Sequence, residues 1–259
     1  MKIEYSVNTI AFANQKGGVG KTTSCLSIGA GLAKAGKRVL LIDIDPQGSL
    51  SKSAGAAITD NTPTIYEVLT GAANIQDAVQ SIGGKYDIVP ADRALSGAEI
   101  ELLNVPGRNE LLKNDITELP KYYDYILIDC PPTLNILTVT ALAAANKVVI
   151  PMQCNRSALD GISDLRQTIA QIKQGINPQL EIGGIIVTMY DSRATLHKEV
   201  LEMLQTAFPG KVFETTVSRG IAAEEAPGYS VDLLEYKPKS KQALQYTAMT
   251  EEFIKKMEG

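Results

Sequence analysis

An open α/β fold, doubly wound around a mostly parallel β-sheet with helices on both faces, is what this 259-residue sequence predicts. Short apolar runs alternate with longer amphipathic stretches from end to end, with no Pro-, Gly- or Ser-rich linker between them. Two runs, Arg38 to Asp43 and Tyr125 to Asp129, are continuously apolar before a terminal aspartate, as in strands buried on both faces. An earlier apolar run, Val7 to Phe12, precedes a glycine-rich stretch, Gly17-Gly18-Val19-Gly20, that opens a helix. Without a linker, internal repeat or low-complexity tract, the expected organisation is one domain over 1–259.

In order, Val7 to Phe12 reads as the first strand and Lys21 to Ala35 as a helix stopped by Gly36. Arg38 to Asp43 is the second strand, which completes a right-handed βαβ unit. Asp45-Pro46-Gln47-Gly48 then turns the chain. Ser49 to Thr62 reads as a helix start and a loop, and Thr64 to Leu69 and Ile75 to Ile82 as short helices. Tyr86 to Pro90 is a short strand, Leu95 to Leu103 a helix, and Arg108 to Leu119 a helix stopped by Pro120. Tyr125 to Asp129 is a strand closed by Cys130-Pro131-Pro132. A helix over Thr138 to Ala145 and a buried strand over Lys147 to Pro151 follow. Leu159 to Gln174 is amphipathic, Ile182 to Thr188 a strand, and Leu196 to Phe208 a helix. Val212-Phe213 reads as a last short strand and Lys241 to Met257 as a closing helix of mixed charge.

Composition narrows the functional classes. Hydrophobic content of 44% and charged content of 21% are ordinary for a globular protein. No apolar run approaches the roughly 18 residues of a membrane span. Met1-Lys2-Ile3-Glu4-Tyr5 lacks the pattern of an export signal, and too little chain precedes the loop for a separate DNA-reading domain. Cys25, Cys130 and Cys154 are an odd set without Cys-x-x-Cys spacing, which fits a reducing cytoplasm rather than a disulfide framework or zinc site. A formal net charge of −4 means that any nucleic-acid surface must be a local patch.

The chemistry-bearing residues converge on one end of the predicted sheet. Strand, glycine-rich turn and helix is the arrangement that holds phosphate on backbone N–H groups. Lys16, Gly17, Gly18, Val19, Gly20, Lys21, Thr22 and Thr23 are the candidate nucleotide-binding residues. Lys21 would reach the β- and γ-phosphates and Thr22 would sit on Mg²⁺. The usual G-x-x-x-x-G-K-[ST] pattern is not strictly met, because Gln15 stands where the first glycine belongs and a second lysine, Lys16, precedes Gly17. Asp129 is the expected holder of the Mg²⁺ shell, through water. Asp43 and Asp45, two apart in an extended segment, point the same way, so one of them could orient or deprotonate the attacking water. Either could instead cap a helix or shape the turn. Cys130 reads as a small buried residue and His197, the only histidine, as a surface residue.

Asn14-Gln15-Lys16-Gly17-Gly18-Val19-Gly20-Lys21-Thr22-Thr23 is similar to the deviant phosphate loop of the ParA/Soj partitioning ATPases, a branch of the P-loop NTPases. Asp43-Ile44-Asp45-Pro46-Gln47-Gly48 resembles that family's second motif, and Ile128-Asp129-Cys130-Pro131-Pro132 its third. These three also fit the wider group that includes MinD and the nitrogenase iron protein. Pro151-Met152-Gln153-Cys154, Ala158-Leu159-Asp160-Gly161, Thr188-Met189-Tyr190-Asp191-Ser192-Arg193 and Glu224-Glu225-Ala226-Pro227 narrow the resemblance to the partitioning branch, over nearly the whole chain from Val7. Asn155-Arg156-Ser157 departs from the more acidic and aromatic segment of the family.

The resemblance implies a Mg²⁺-dependent ATPase that forms a sandwich homodimer around two ATP molecules and binds double-stranded DNA without sequence preference. A ParB-type protein would stimulate hydrolysis and release it, and the expected location is cytoplasmic and nucleoid-associated. Lys16 matches the lysine that reaches the partner's phosphates, the logic of a finger residue delivered in trans. Asp45 matches the residue that positions the hydrolytic water, with a further possible tie to Mg²⁺ through water, and Asp129 matches the Mg²⁺-shell aspartate. Arg193 matches a DNA-contacting arginine and Arg219 a second basic position. Lys198, Lys211, Lys237, Lys239 and Lys241 could add to the patch, although a solvated face accounts for each.

A membrane-positioning ATPase of the MinD kind is the alternative. It needs a C-terminal amphipathic helix with a basic face. Glu251, Glu252 and Glu258 make Gln242 to Met257 read as a docking helix instead, so no membrane partner is expected. An iron–sulfur component would need a cluster-sharing cysteine set that is absent here. A module without turnover is disfavoured by the presence of both Asp45 and Asp129.

Overall fold

The computed structural model describes residues 7–119, 122–155 and 158–259, with the backbone alone for 158–165. The export-signal reading of the first five residues, the Pro120 helix stop and Arg156-Ser157 lie outside the described residues.

Seven strands form one sheet: β1 (Asn8–Phe12), β2 (Val39–Asp43), β3 (Gln80–Ile82), β4 (Tyr86–Val89), β5 (Tyr125–Asp129), β6 (Lys147–Gln153) and β7 (Glu181–Thr188). Their order is β3-β4-β2-β5-β1-β6-β7, parallel throughout except for β3. The helices are α1 (Lys21–Lys34), α2 (Ser49–Ala54), α3 (Ile65–Leu69), α4 (Ile75–Ala78), α5 (Leu95–Glu101) and α6 (Leu111–Glu118). They continue with α7 (Ile136–Ala144), α8 (Ala158–Gly175), α9 (Thr195–Ala207), α10 (Ile221–Glu225), α11 (Leu233–Tyr236) and α12 (Lys241–Glu258).

Strand residues alternate between two cores because side chains on a strand have a period of two. Leu40, Ile42, Ile126 and Ile128 pack with Ala98 of α5, Leu112 of α6, Leu137 of α7 and Ile169 of α8. Val39, Leu41, Tyr125 and Leu127 pack on the opposite face with Ile28 of α1, Leu50 of α2, Leu233 of α11 and Phe253 of α12. Both faces are therefore covered, as the unbroken apolar runs require. β5 lies between β1 and β2, pairing with both, so the βαβ unit read from the sequence crosses over one inserted strand. The chain leaves β1 towards β2 and leaves β5 towards β6. This divergence opens a crevice at the carboxyl ends of the central strands, where ligands of open α/β sheets collect.

Three local expectations change. Ile75 to Ile82 is not one helix: α4 stops at Ala78, Val79 is extended, and β3 pairs antiparallel with β4. Gly83 and Gly84, at φ 58° and 71°, close that hairpin, and glycines between two strand-forming runs are its sequence signal. Val212-Phe213 is not a strand but a single bridge, with Val212 opposite Ile185. The helix read from Thr138 starts at Ile136, where the Asn135 side chain accepts a hydrogen bond from the Thr138 N–H as an N-cap.

The closing helix docks on the first. Ala243, Tyr246, Met249, Phe253 and Met257 of α12 are buried at helical spacing. Phe253 stacks on Phe12 and Phe213, and the Tyr246 and Ser24 hydroxyls lie 2.9 Å apart. At Gly31 of α1 the helices meet so closely that an added Cβ would stand 2.3 Å from Thr250 Oγ1. Gly31→Ala is therefore expected to destabilise the protein by about 1–3 kcal/mol, overpacking outweighing the roughly 1 kcal/mol gained in helix propensity. The reading is a lower denaturation midpoint at unchanged m-value; a higher midpoint would contradict the close approach.

Candidate functional site

The loop between β1 and α1 owes its shape to two glycines. Gly18 and Gly20 sit in the left-handed region, at φ 70° and 82°, where a side chain would be strained. Gly20 is also the N-cap of α1, so no side chain occupies the first N–H groups of the helix. These N–H groups have no intrahelical acceptor and are open to an anion.

Residues distant in sequence hold the loop. Gln153, at the end of β6, donates to the Gly18 carbonyl at 2.8 Å. Thr188, at the end of β7, donates to the carbonyls of Val19 (2.8 Å) and Met152 (3.1 Å). Asn14 donates to the Pro151 carbonyl and accepts from the Lys16 N–H. Gln15, in the place of the usual glycine, reaches Thr168 of α8 at 3.5 Å. The sequence reading assigned none of these loop-holding roles. The available signal is a polar residue, Gln153 or Thr188, that closes the apolar run of each strand.

The two loop lysines behave differently. Lys21 is buried and its ammonium donates to the Lys16 carbonyl at 3.2 Å. Burial lowers its pKa, opposed most strongly by the Asp129 carboxylate. Lys16 is exposed and its ammonium lies 3.1 Å from Asn155 Oδ1, beyond the end of β6.

The three aspartates also separate. Thr22 donates to Asp129 Oδ2 at 2.6 Å, while Asp129 Oδ1 is buried with no hydrogen-bond partner. Burial and the neighbouring Asp43 carboxylate push the Asp129 pKa well above the carboxylate range, with Thr22 and Lys21 opposing. An orphaned oxygen on a buried acid beside a threonine hydroxyl suits a hydrated divalent cation, whose charge would relieve that cost. Asp43 has no such vacancy. Its Oδ1 accepts from the Asp45 N–H (3.1 Å), and its Oδ2 from the N–H (2.8 Å) and hydroxyl (2.7 Å) of Ser51. Burial raises its pKa to about 6 against those donors. Asp43 thus ties β2 to α2, whereas Asp45 is half-buried and lines the crevice.

That crevice is a cleft of about 670 Å³. One wall is the loop and α1, with Gly17, Gly18, Gly20, Lys21, Thr22 and Thr23. Ser49, Lys52 and Ser53 of α2 line it next to Asp45, and Pro132 follows β5. The far wall comes from α10, α11 and the 3-10 turn between them, elements too short to carry a periodic signal in the sequence. Ala223 and Glu224 of α10, Pro227 and Gly228 of the following 3-10 turn, and Val231 and Leu233 at α11 face the cleft. Met189, just past β7, completes it in a left-handed conformation at φ 51°, a strained geometry of the kind that collects at ligand clefts. Its sulfur accepts from Gln153, which fixes it to the loop. Val19 is buried and, like Lys16, is not part of the lining.

The predicted DNA residues lie apart from the cleft's phosphate end. Arg193 is highly exposed and paired with both carboxylate oxygens of Asp191, at 3.0 Å each. Arg219 pairs with Glu224 at 3.1 Å. His197 is half-buried rather than free on the surface, its Nδ1 accepting the Asp191 N–H at 2.9 Å. Lys237 is held by Glu225, and Lys211 lies beyond the opposite end of α9 from Arg193. Cys130 is buried, which pushes its thiol pKa up and leaves it inert.

Comparison with known proteins agrees with this geometry. Residues 7–182 match the AAA_31 family model, described as an AAA domain. The chain is 43% identical over 248 residues to the chromosome partitioning protein ParA of Myxococcus xanthus, covering 95% of this chain and 88% of that protein. It is 43% identical over 247 residues to the chromosome-partitioning ATPase Soj of Treponema pallidum, covering 95% and 96%. A crystal structure of cobyrinic acid a,c-diamide synthase from Mycobacterium smegmatis with bound ADP and magnesium superimposes with a TM-score of 0.86 at 34% identity, over 98% of this chain and 96% of that one. Two relatives at 43% identity over 95% of this chain carry those names, and the chain belongs to the ParA/Soj family of chromosome-partitioning ATPases.

Proposed function

We propose that this protein is an ATP-dependent dimer switch for DNA segregation, acting as a single ATPase unit across residues 1–259. The contrast between the two loop lysines carries the reading. Lys21 is buried against its own loop and lines the cleft, whereas Lys16 is exposed outside it. A lysine on the exposed rim outside its own cleft can exchange its local partners, Asn155 among them, for the phosphates in a second copy's cleft, the arrangement by which a finger residue acts in trans.

In this reading the N–H groups of Gly17, Gly18, Val19, Gly20, Lys21, Thr22 and Thr23 bind and orient the phosphates of ATP, and Lys21 neutralises their charge. Thr22 and Asp129 hold a hydrated Mg²⁺ whose charge, once bound, stabilises the β- and γ-phosphates. Asp45, at the cleft, orients the attacking water and can hold a water of the Mg²⁺ shell. Asp43 serves as a fixed brace, which leaves Asp45 as the one member of the pair for that work. The relatives named partitioning proteins support the wider role: a homodimer in the ATP state, non-specific double-stranded DNA as its track, a ParB-type partner that stimulates hydrolysis, and a nucleoid-associated location in the cytoplasm.

Membrane positioning finds no support in α12, whose apolar face is already packed on α1. No helix among the described residues is long and apolar enough to cross a membrane.

DNA retention with ATP, with ADP and without nucleotide, over a range of salt, tests the reading. Retention should need ATP, tolerate any sequence and fall steeply with salt. Binding indifferent to nucleotide would sink it. Arg193 supplies the site-specific arm. Its guanidinium is paired with Asp191 at an exposed position, so DNA phosphates would compete with Asp191 for it. Arg193→Glu is expected to cut retention by about tenfold or more while leaving the ATP dimer intact. Unchanged retention at low salt would move the DNA surface elsewhere.

A further inference from the structure

A second pocket, of about 360 Å³, opens between α8, the start of β7 and the turn after α9. It lies at the amino end of β7, whereas the nucleotide cleft lies at the carboxyl end, where Thr188 braces the loop. Arg166 and Lys173 line it from α8 and Lys211 from the turn, against the single carboxylate Glu181, while Ile169 and Ile182 give it an apolar lining. Arg166 and Lys173 are two helical turns apart and so share a face.

Among the described residues, none of these three cations forms an ion pair. In a chain of formal net charge −4, three exposed cations around one concavity form a local excess that the fold does not neutralise. The Arg166 guanidinium lies 5.6 Å from the centre of the Phe208 ring, which holds its plane in place and reduces the entropy lost on pairing.

The surroundings favour one class of anion. The helix that joins Arg193 to Lys211 in sequence, α9, exposes Glu199 and Glu202 as well as Lys198, so it carries no continuous basic track between them. A free phosphate would make no use of Ile169 and Ile182. We propose that the pocket binds an acidic segment of a partner protein, its carboxylates paired with Arg166, Lys173 and Lys211 and an apolar side chain seated on Ile169 and Ile182. Such pairing gives specificity and association rate, with the apolar contact adding affinity. This site is independent of the nucleotide and DNA assignments above.

The test is a titration of the full chain with a short fluorescein-labelled peptide of alternating glutamate and leucine, followed by anisotropy at low salt. Saturable binding is expected, together with no binding of a lysine–leucine counterpart. The double variant Arg166→Glu, Lys173→Glu should weaken the acidic peptide by about tenfold or more, and Arg166→Gln, Lys173→Gln by a smaller factor. ATP turnover and duplex DNA retention should remain at the parent level in both. Equal peptide affinity in parent and Glu variant, or no saturable binding by the parent, overturns the proposal. Loss of DNA retention in a normally melting Glu variant also overturns it, by assigning the pocket to DNA.

Discussion

Asp45→Ala is expected to slow single-turnover ATP hydrolysis by about 10²- to 10³-fold while changing ATP affinity by less than about threefold, so that the ATP-bound dimer accumulates. The expectation rests on how the structure divides two aspartates that look alike in sequence. Both oxygens of Asp43 are engaged, by the Asp45 N–H and by Ser51, so Asp43 cannot turn towards a water without breaking the start of α2. Asp45 has one oxygen engaged by the Gln47 N–H and lines the cleft. Removing it takes away a group that orients water and leaves the phosphate cradle of α1 untouched. Phosphate release under single turnover, with gel filtration in ATP, measures both halves. Turnover within about threefold of the parent would remove Asp45 from the chemistry.

The second large effect belongs to Lys16. Lys16→Ala should abolish the ATP-induced dimer and lower stimulated hydrolysis by about 10³-fold, the range of a finger residue lost in trans. ATP binding to the monomer should stay within about threefold, because Lys16 lies outside its own cleft and its ammonium is directed to Asn155. The loop should keep its shape, since the Lys16 N–H bond to Asn14 and the Lys16 carbonyl bond to Lys21 are both made by the backbone of residue 16. Gel filtration and equilibrium nucleotide titration separate the outcomes. A monomer that has lost ATP affinity tenfold would make Lys16 a ligand of its own cleft.

The fold was legible where burial imposes a rule on consecutive residues. β2 and β5 sit centrally with helices on both faces, so every position is apolar until the aspartate, and their ends were read correctly. β3 carried no such rule. Gln80-Ser81-Ile82 is a half-exposed edge of three residues, too short for a period, and it becomes a strand only when the Gly83-Gly84 turn folds it onto β4. The far wall of the cleft was missed for a related reason. Ile221–Glu225, Ala226–Tyr229 and Leu233–Tyr236 are single turns, shorter than the repeat that marks a helix in sequence.

By itself the sequence determined the parallel strands and the longer helices, the glycine loop with its two lysines and the aspartates that end β2 and β5. These are local matters of backbone freedom, periodicity and burial, written within a few residues of each other. Only the tertiary structure decided which aspartate is braced and which faces the cleft, which lysine turns inward, and where Arg166, Lys173 and Lys211 gather. Those outcomes depend on side chains meeting across long separations, as Thr22 meets Asp129, Gln153 the carbonyl of Gly18, and Thr188 that of Val19. Such contacts exist only after the strands have paired and brought their carboxyl ends together.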